Sequence, residues 1–244
     1  MWPTASRARG LGRGVRRLAS VPANTVLRGV VFDMDGTLTV PNLDFRSMYA
    51  RCGVSANLDL LAEIALMEPA RASEARAVID EMEAAAASSL QLTTGAAAAV
   101  KFLSGAGVRF AMVTRNSSAT VKTFEDRCWQ DLPPFSLTIS RDGISNGFQE
   151  YLAPKPDPAA LLLISRRWGC DVSEVLMVGD SLSNDVAFGT AAGAHTVLVD
   201  SGRRHFEESS GKALTAPTFV VESLEELPDL ARSNFVLPST IEPV

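Results

Sequence analysis

The most constraining feature of this chain is a set of short apolar runs, each ending in a polar cluster and each followed by a helical pattern. Leu27–Phe32, Val108–Val113, Val175–Val178 and Thr196–Val199 are such runs. They are apolar throughout and do not alternate, as expected of strands buried on both faces. Helical patterns lie between them: Ala96–Leu103, Ser117–Trp129, a helix capped by Asp157 with Pro158 at its first position, and Asn184–Ala192. Strand and helix in alternation predict an α/β fold with a parallel sheet covered by helices. Leu137–Ser140 and Phe219–Val221 read as further short strands. Residues 40–92 break the alternation. They read as helices around Phe45–Cys52, Leu58–Leu66 and Ser73–Leu90, with Pro69 as a break, and form an all-helical insertion after the first strand.

In such sheets ligands bind beyond the carboxyl ends of the strands. The residues placed there are Asp33-Met34-Asp35-Gly36-Thr37, Thr114-Arg115-Asn116, and Gly179-Asp180 with Asp185; Lys155 joins from a loop. Asp-x-Asp-Gly-Thr alone reads equally well as a turn. Two such acidic clusters on neighbouring strands are costly to bury unless a cation sits between them. Hard oxygen ligands in that number suit magnesium. A lysine and a hydroxyl beside them suit a phosphoryl group. Lys155 is one of four lysines in the chain, and Pro156-Asp157-Pro158 follows it directly.

Val31-Phe32-Asp33-Met34-Asp35-Gly36-Thr37-Leu38 resembles the first motif of the haloacid dehalogenase-like hydrolases. Thr114 resembles the second motif, Lys155 with its prolines the third, and Gly179-Asp180 with Asp185 the fourth. The four stand in the family's order across residues 27–227. The resemblance implies a Rossmann-like sheet of order 3-2-1-4-5, with core segments at 27–39 and 93–231 and a helical cap at 40–92. The position of the cap resembles the phosphoglycolate phosphatase and beta-phosphoglucomutase branch. It further implies Asp33 as nucleophile and Asp35 as general acid and base. Thr114 and Lys155 would hold phosphate, and Asp33, Asp35, Asp180 and Asp185 would surround Mg2+. Arg115 stands where many relatives carry Asn; it is a further candidate for binding phosphate or a substrate anion, or else it points to solvent. Asp35 argues for phosphate esters, since the family's dehalogenases lack that second aspartate. The implied activity is a magnesium-dependent phosphatase acting on a small phosphorylated metabolite, with phosphoglycolate as the default. A phosphomutase and a non-catalytic phosphate- or partner-binding member are the rivals. Arg46, Tyr49 and Arg51 are candidates for reading the substrate from the cap, or else a solvated helix face.

The N-terminus has a different character. Six arginines precede the first acidic residue, Asp33, with no lysine among them. Leu11, Val15 and Leu18 share one face of a helical wheel. Residues 1–26 therefore read as an organelle leader, for mitochondrion or plastid, or as a disordered basic tail in a cytoplasmic protein. The chain carries a net charge of −5, which argues against a nucleic-acid partner. No apolar run is long enough to span a membrane. Three separated cysteines argue against a disulfide scaffold. Residues 232–244 read as a loose tail. Monomer and homodimer are not distinguished.

Overall fold

The computed structural model describes residues 15–144, 152–202 and 216–240. In chain order the elements are β1 (Arg16–Arg17), β2 (Gly29–Phe32), α1 (Phe45–Cys52), α2 (Leu60–Ala65), α3 (Pro69–Ala87), α4 (Ala96–Gly105), β3 (Arg109–Val113), α5 (Ser118–Cys128), β4 (Thr138–Ser140), β5 (Gly143–Ile144), α6 (Ala159–Trp168), β6 (Val175–Gly179), α7 (Ala187–Ala192), β7 (His195–Val199), β8 (Phe219–Val221) and α8 (Leu227–Asn234). The strands form one eight-stranded sheet of order β1-β8-β7-β6-β2-β3-β4-β5. The six from β8 to β4 are parallel, and β1 and β5 pair antiparallel at the two edges. The expected five-strand order lies inside this sheet, as β4-β3-β2-β6-β7. The complete order differs because β8 and two short edge strands extend it.

Successive side chains of the central strands enter two separate cores. Val30, Phe32, Met112 and Val178 pack with α4, α5 and α8 on one face. Val31, Ala111, Val113 and Met177 pack with α6 and α7 on the other. Both faces are apolar, which is why the runs show no alternation. Gly29 opens β2 where Trp168 of α6 presses on the sheet; a Cβ there would run into the indole ring.

Helices α1 to α3 carry a core of their own, built on Met48, Cys52, Ile64, Ala75 and Ile79. Pro69 marks the boundary between two helices, as expected: α2 ends at Ala65 and α3 begins at Pro69. It stands at the start of α3, where a missing N–H costs nothing. Asp157 caps α6 from one residue further out than expected, accepting from the Ala159 N–H at 2.9 Å. The helix expected from Asn184 begins as a π-turn, Leu182–Val186, before α7.

Both chain ends differ from expectation. Arg16 and Arg17 pair with Val220 and Phe219, Val15 is buried, and the Leu18 N–H bonds the Thr218 carbonyl. Residues 15–18 thus cover the β8 edge as a strand, not as one face of a helix. Residues 1–14 lie outside the described part. At the other end Phe235 and Leu237 are buried, and Phe235 packs edge-on to the His195 ring. Val236 exchanges backbone hydrogen bonds with Thr25 and Leu27. The expected loose tail is therefore packed through Leu237, and residues 241–244 lie outside the described part. Among the described residues no helix is long and apolar enough to cross a membrane.

Candidate active site

Strands β3, β2 and β6 are adjacent and parallel, so their carboxyl ends open on one edge of the sheet. Asp33 follows β2 and Asp180 follows β6. Asp185 lies in the π-turn and folds back onto its own strand end. Two glycines permit this closeness. A Cβ on Gly179 would collide with the Asp185 side chain, and one on Gly36 with the Asp180 carboxylate. Gly36 also has φ +75°, a backbone state that suits glycine. The Ser181 N–H holds the second Asp185 oxygen at 3.0 Å.

Oxygen atoms of Asp33, Asp180 and Asp185 lie within 4.8 Å of one another. Lys155 enters the cluster from the loop before α6. Its Nζ donates to Asp33 Oδ1 at 2.5 Å and to Asp185 Oδ1 at 2.7 Å. The lysine is 4% exposed, so this is a buried ion network. Burial would strip the Lys155 proton, but the two carboxylates outweigh it and hold the ammonium charged. Burial also pushes the Asp33 carboxyl well above its ordinary range; Lys155 opposes that, while Asp185, Asp35 and Asp180 reinforce it. With all three carboxylates ionised, they and one ammonium sum to two negative charges. All the donors are hard oxygens in a buried, converging set, so the site fits a divalent cation such as magnesium.

Asp35 turns elsewhere. Its Oδ2 accepts from Asn116 Nδ2 at 2.6 Å, and its side chain is outside the three-carboxylate cluster. Burial raises its carboxyl to about 6, aided by Glu83 and Asp180 and opposed by the Asn116 hydrogen bond and by Lys155. Thr114 is buried at the end of β3, and its Oγ1 accepts the Asn116 N–H at 3.1 Å. Arg115, expected to reach an anion or to point to solvent, has side-chain partners within the protein. Its guanidinium pairs with Asp59, the N-cap of α2, at 2.8 Å, and donates to Asn184 Oδ1 at 3.1 Å. It occupies the seam between the helical insert and the sheet. Arg51 pairs with Glu81 and the Tyr49 hydroxyl with the Leu58 carbonyl, so these two candidates serve the insert itself.

The sequence places Asn116 and Asn184 among the polar residues beyond the strands without giving either a particular role, and it singles out neither Glu83 nor Arg141. Asn116 had a usable signal: it stands two residues after Thr114, in the loop beyond β3. Glu83 had none, because its place depends on what α3 packs against.

A haloacid dehalogenase-like hydrolase domain-containing protein of Arabidopsis thaliana is 35% identical over 226 residues, covering 88% of this chain and 88% of its own. The chain belongs to the haloacid dehalogenase-like hydrolases. A HAD-hydrolase-like family model matches residues 152–227, the segment that carries Lys155, Asp180 and Asp185. The fold is shared with solved structures. A hydrolase from Pseudomonas syringae superposes with a TM-score of 0.64 at 16% identity, covering 86% of this chain and all of the other. The HAD-hydrolase YfnB from Bacillus subtilis, solved bound to magnesium, gives 0.52 at 20% identity, over 84% of this chain and 98% of its own.

Proposed function

We propose that the protein is a magnesium-dependent phosphatase. It hydrolyses a small phosphorylated metabolite through an aspartyl-phosphate on Asp33. The observation that carries this reading is the buried Lys155 ammonium clamped between Asp33 and Asp185, with Asp180 alongside. A carboxylate approaches a phosphate dianion only where positive charge cancels the repulsion, and Lys155 supplies one such charge. Asp33, the Asp35 backbone carbonyl and Asp180 would hold magnesium, with Asp185 behind them. Bound there, the ion supplies the remaining neutralising charge.

Asp33 forms the bond to phosphorus as the ester oxygen leaves. Asp35 gives that oxygen a proton, which a carboxyl near 6 holds more often than an ordinary aspartate does. Asp35 then takes a proton from water, which attacks the aspartyl-phosphate and restores Asp33. Lys155 and Thr114 bind the phosphoryl oxygens. The helical insert acts as the cap over this site, and the Arg-rich stretch before residue 15 acts as an import leader.

The test is phosphate release from a panel of phosphorylated metabolites, beginning with phosphoglycolate, by purified protein with magnesium. Asp33→Asn should abolish release while the protein stays folded. If no small ester yields phosphate, the chain is a binding member of its family.

A further inference from the structure

Glu83 is an acidic residue in the last turns of α3, yet it is 4% exposed. Its Oε2 accepts from the Ser117 N–H at 3.3 Å and the Thr120 hydroxyl at 3.2 Å. Ser117 is the N-cap of α5, so the carboxylate caps an eleven-residue helix of the sheet domain from outside. Arg141, just after β4, completes the site. Its Nη1 reaches Glu83 Oε1 at 2.7 Å and its Nη2 reaches Oε2 at 3.3 Å. A second acid of α3, Asp80, takes Nη2 at 3.0 Å on the exposed side.

The contacts continue inward. The Arg141 backbone N–H donates to the Asn116 carbonyl at 2.8 Å, and its Nη1 to the Arg115 carbonyl at 3.3 Å. Asn116 in turn holds Asp35 at 2.6 Å. A hydrogen-bonded route therefore runs from the helical insert through Arg141 and Asn116 to Asp35. Packing alone does not call for a buried carboxylate here. An alanine, like its neighbours Ala84 to Ala87, would fill a helix face without the cost of desolvating a charge.

We propose that Glu83 and Arg141 are positioning residues, through which the helical insert sets loop 114–117 and so aims Asn116 at Asp35. The proposal rests on the phosphatase reading for Asp35. It predicts that the network acts on turnover more than on substrate binding, because neither residue touches the phosphate-holding groups.

The test uses the full chain with magnesium and an alkyl phosphate, whose leaving oxygen needs the Asp35 proton. Glu83→Ala and Arg141→Ala should each lower kcat about tenfold with KM changed less than about threefold, as expected when a reacting group is slightly misplaced. Glu83→Gln, which can still accept from Ser117 and Thr120, should recover part of the loss. The decisive measurement is the double variant Glu83→Ala/Asn116→Ala. Acting through one route, it should be no slower than Asn116→Ala alone. A purely structural role would make the two losses multiply, and that result overturns the proposal. A second readout is the Asn116 side-chain amide resonances in magnesium-free protein. They should move toward those of a solvated asparagine in Glu83→Ala, or in Glu83→Gln if the alanine variant does not fold. If the wild type fails to turn over, the phosphatase reading falls. The Asn116 resonances then judge the positioning role alone, and unchanged resonances in a folded variant overturn it.

Discussion

Replacing Lys155 with methionine should expose how the site balances its own charge. The ammonium contacts Asp33 at 2.5 Å and Asp185 at 2.7 Å, and the three side chains are at most 11% exposed. At an effective dielectric near 20, each contact is worth roughly 6 kcal/mol before desolvation is subtracted. Desolvation offsets several kcal/mol per ion, so the net stabilisation by the network is far smaller. Removing one partner is a different matter, because the carboxylates stay buried and lose their cation. That costs about 3–5 kcal/mol. In a chain of this size it corresponds to a fall in Tm of roughly 10 °C.

The penalty depends on pH, with a sign that can be worked out. The Asp33 carboxyl already lies well above its ordinary value, and loss of Lys155 removes the influence that opposes this. Between the unfolded value, about 4, and the folded one, the native state then binds more protons than the unfolded state. Stability must fall as pH rises through that window. The Tm gap between wild type and Lys155→Met should therefore be largest near pH 8 and shrink toward pH 4–5. Magnesium should narrow the gap at pH 8 by replacing the missing charge. The assay is thermal unfolding in chelator across that range, repeated with magnesium. A variant as stable as wild type at pH 8 in chelator, or a gap that does not change with pH, would refute the charge-balance argument.

Other substitutions probe neighbouring parts of the site. Asp33→Asn should raise the Tm of the magnesium-free protein by a few degrees while abolishing phosphate release, since one of three crowded carboxylates becomes neutral; a lower Tm would contradict that. Gly36→Ala forces a Cβ toward Asp180 at φ +75°; it should destabilise the chain by roughly 1–3 kcal/mol and weaken magnesium binding in calorimetry, and wild-type affinity would show that the loop yields freely. Deleting residues 1–20 removes β1 and the buried Val15 and should lower Tm, and an unchanged Tm would show that β1 adds nothing to the sheet; a reporter fused to residues 1–30 tests import separately. Asp35→Asn should slow hydrolysis of alkyl phosphates more than formation of aspartyl-phosphate from p-nitrophenyl phosphate, because a good leaving group needs little proton. Rapid quench on both substrates decides this, and equal losses would remove Asp35 from the acid–base role.

Much of this arrangement was legible because the central strands state their surroundings. Val30 and Phe32 face one core and Val31 the other, so an unbroken apolar run was the signature of a sheet covered twice. Once the sheet is parallel, the residues after β2, β3 and β6 must share an edge, which brings Asp33, Thr114 and Asp180 together; Lys155, from the loop before α6, was marked by its resemblance to the family's third motif. The chain ends were misread for a physical reason as well. A two-residue strand has no period to detect, Val15 and Leu18 flank two arginines, and Phe235-Val236-Leu237 is too short an apolar run to define an element. Their burial depends on backbone pairing to β8 and to residues 25–27, which no local pattern records. Glu83 and Arg115 illustrate the same limit for charges. Each looks like a solvated helix or loop residue until a partner from a distant segment is placed against it.

The two contacts between insert and loop 114–117 are unequal, and the inequality has a consequence. Arg115 meets Asp59 where both side chains remain partly open to solvent, at 24% and 40% exposure. A pair of that kind contributes about 0–1 kcal/mol and weakens in salt. Arg141 meets a Glu83 side chain that is 5% exposed and that also caps α5. Withdrawing Glu83 would leave the half-buried Arg141 guanidinium and the α5 N-terminus without their acceptor. Parting the insert from the sheet therefore costs less at the Asp59 edge than at Glu83, whose carboxylate is the more buried. In the proposed phosphatase, an entry path that parts Asp59 from Arg115 would also free the Arg115 guanidinium, one residue along the chain from Thr114. The same path leaves the Glu83–Arg141–Asn116 contacts in place, so Asp35 can keep its hydrogen bond from Asn116 while the site is open.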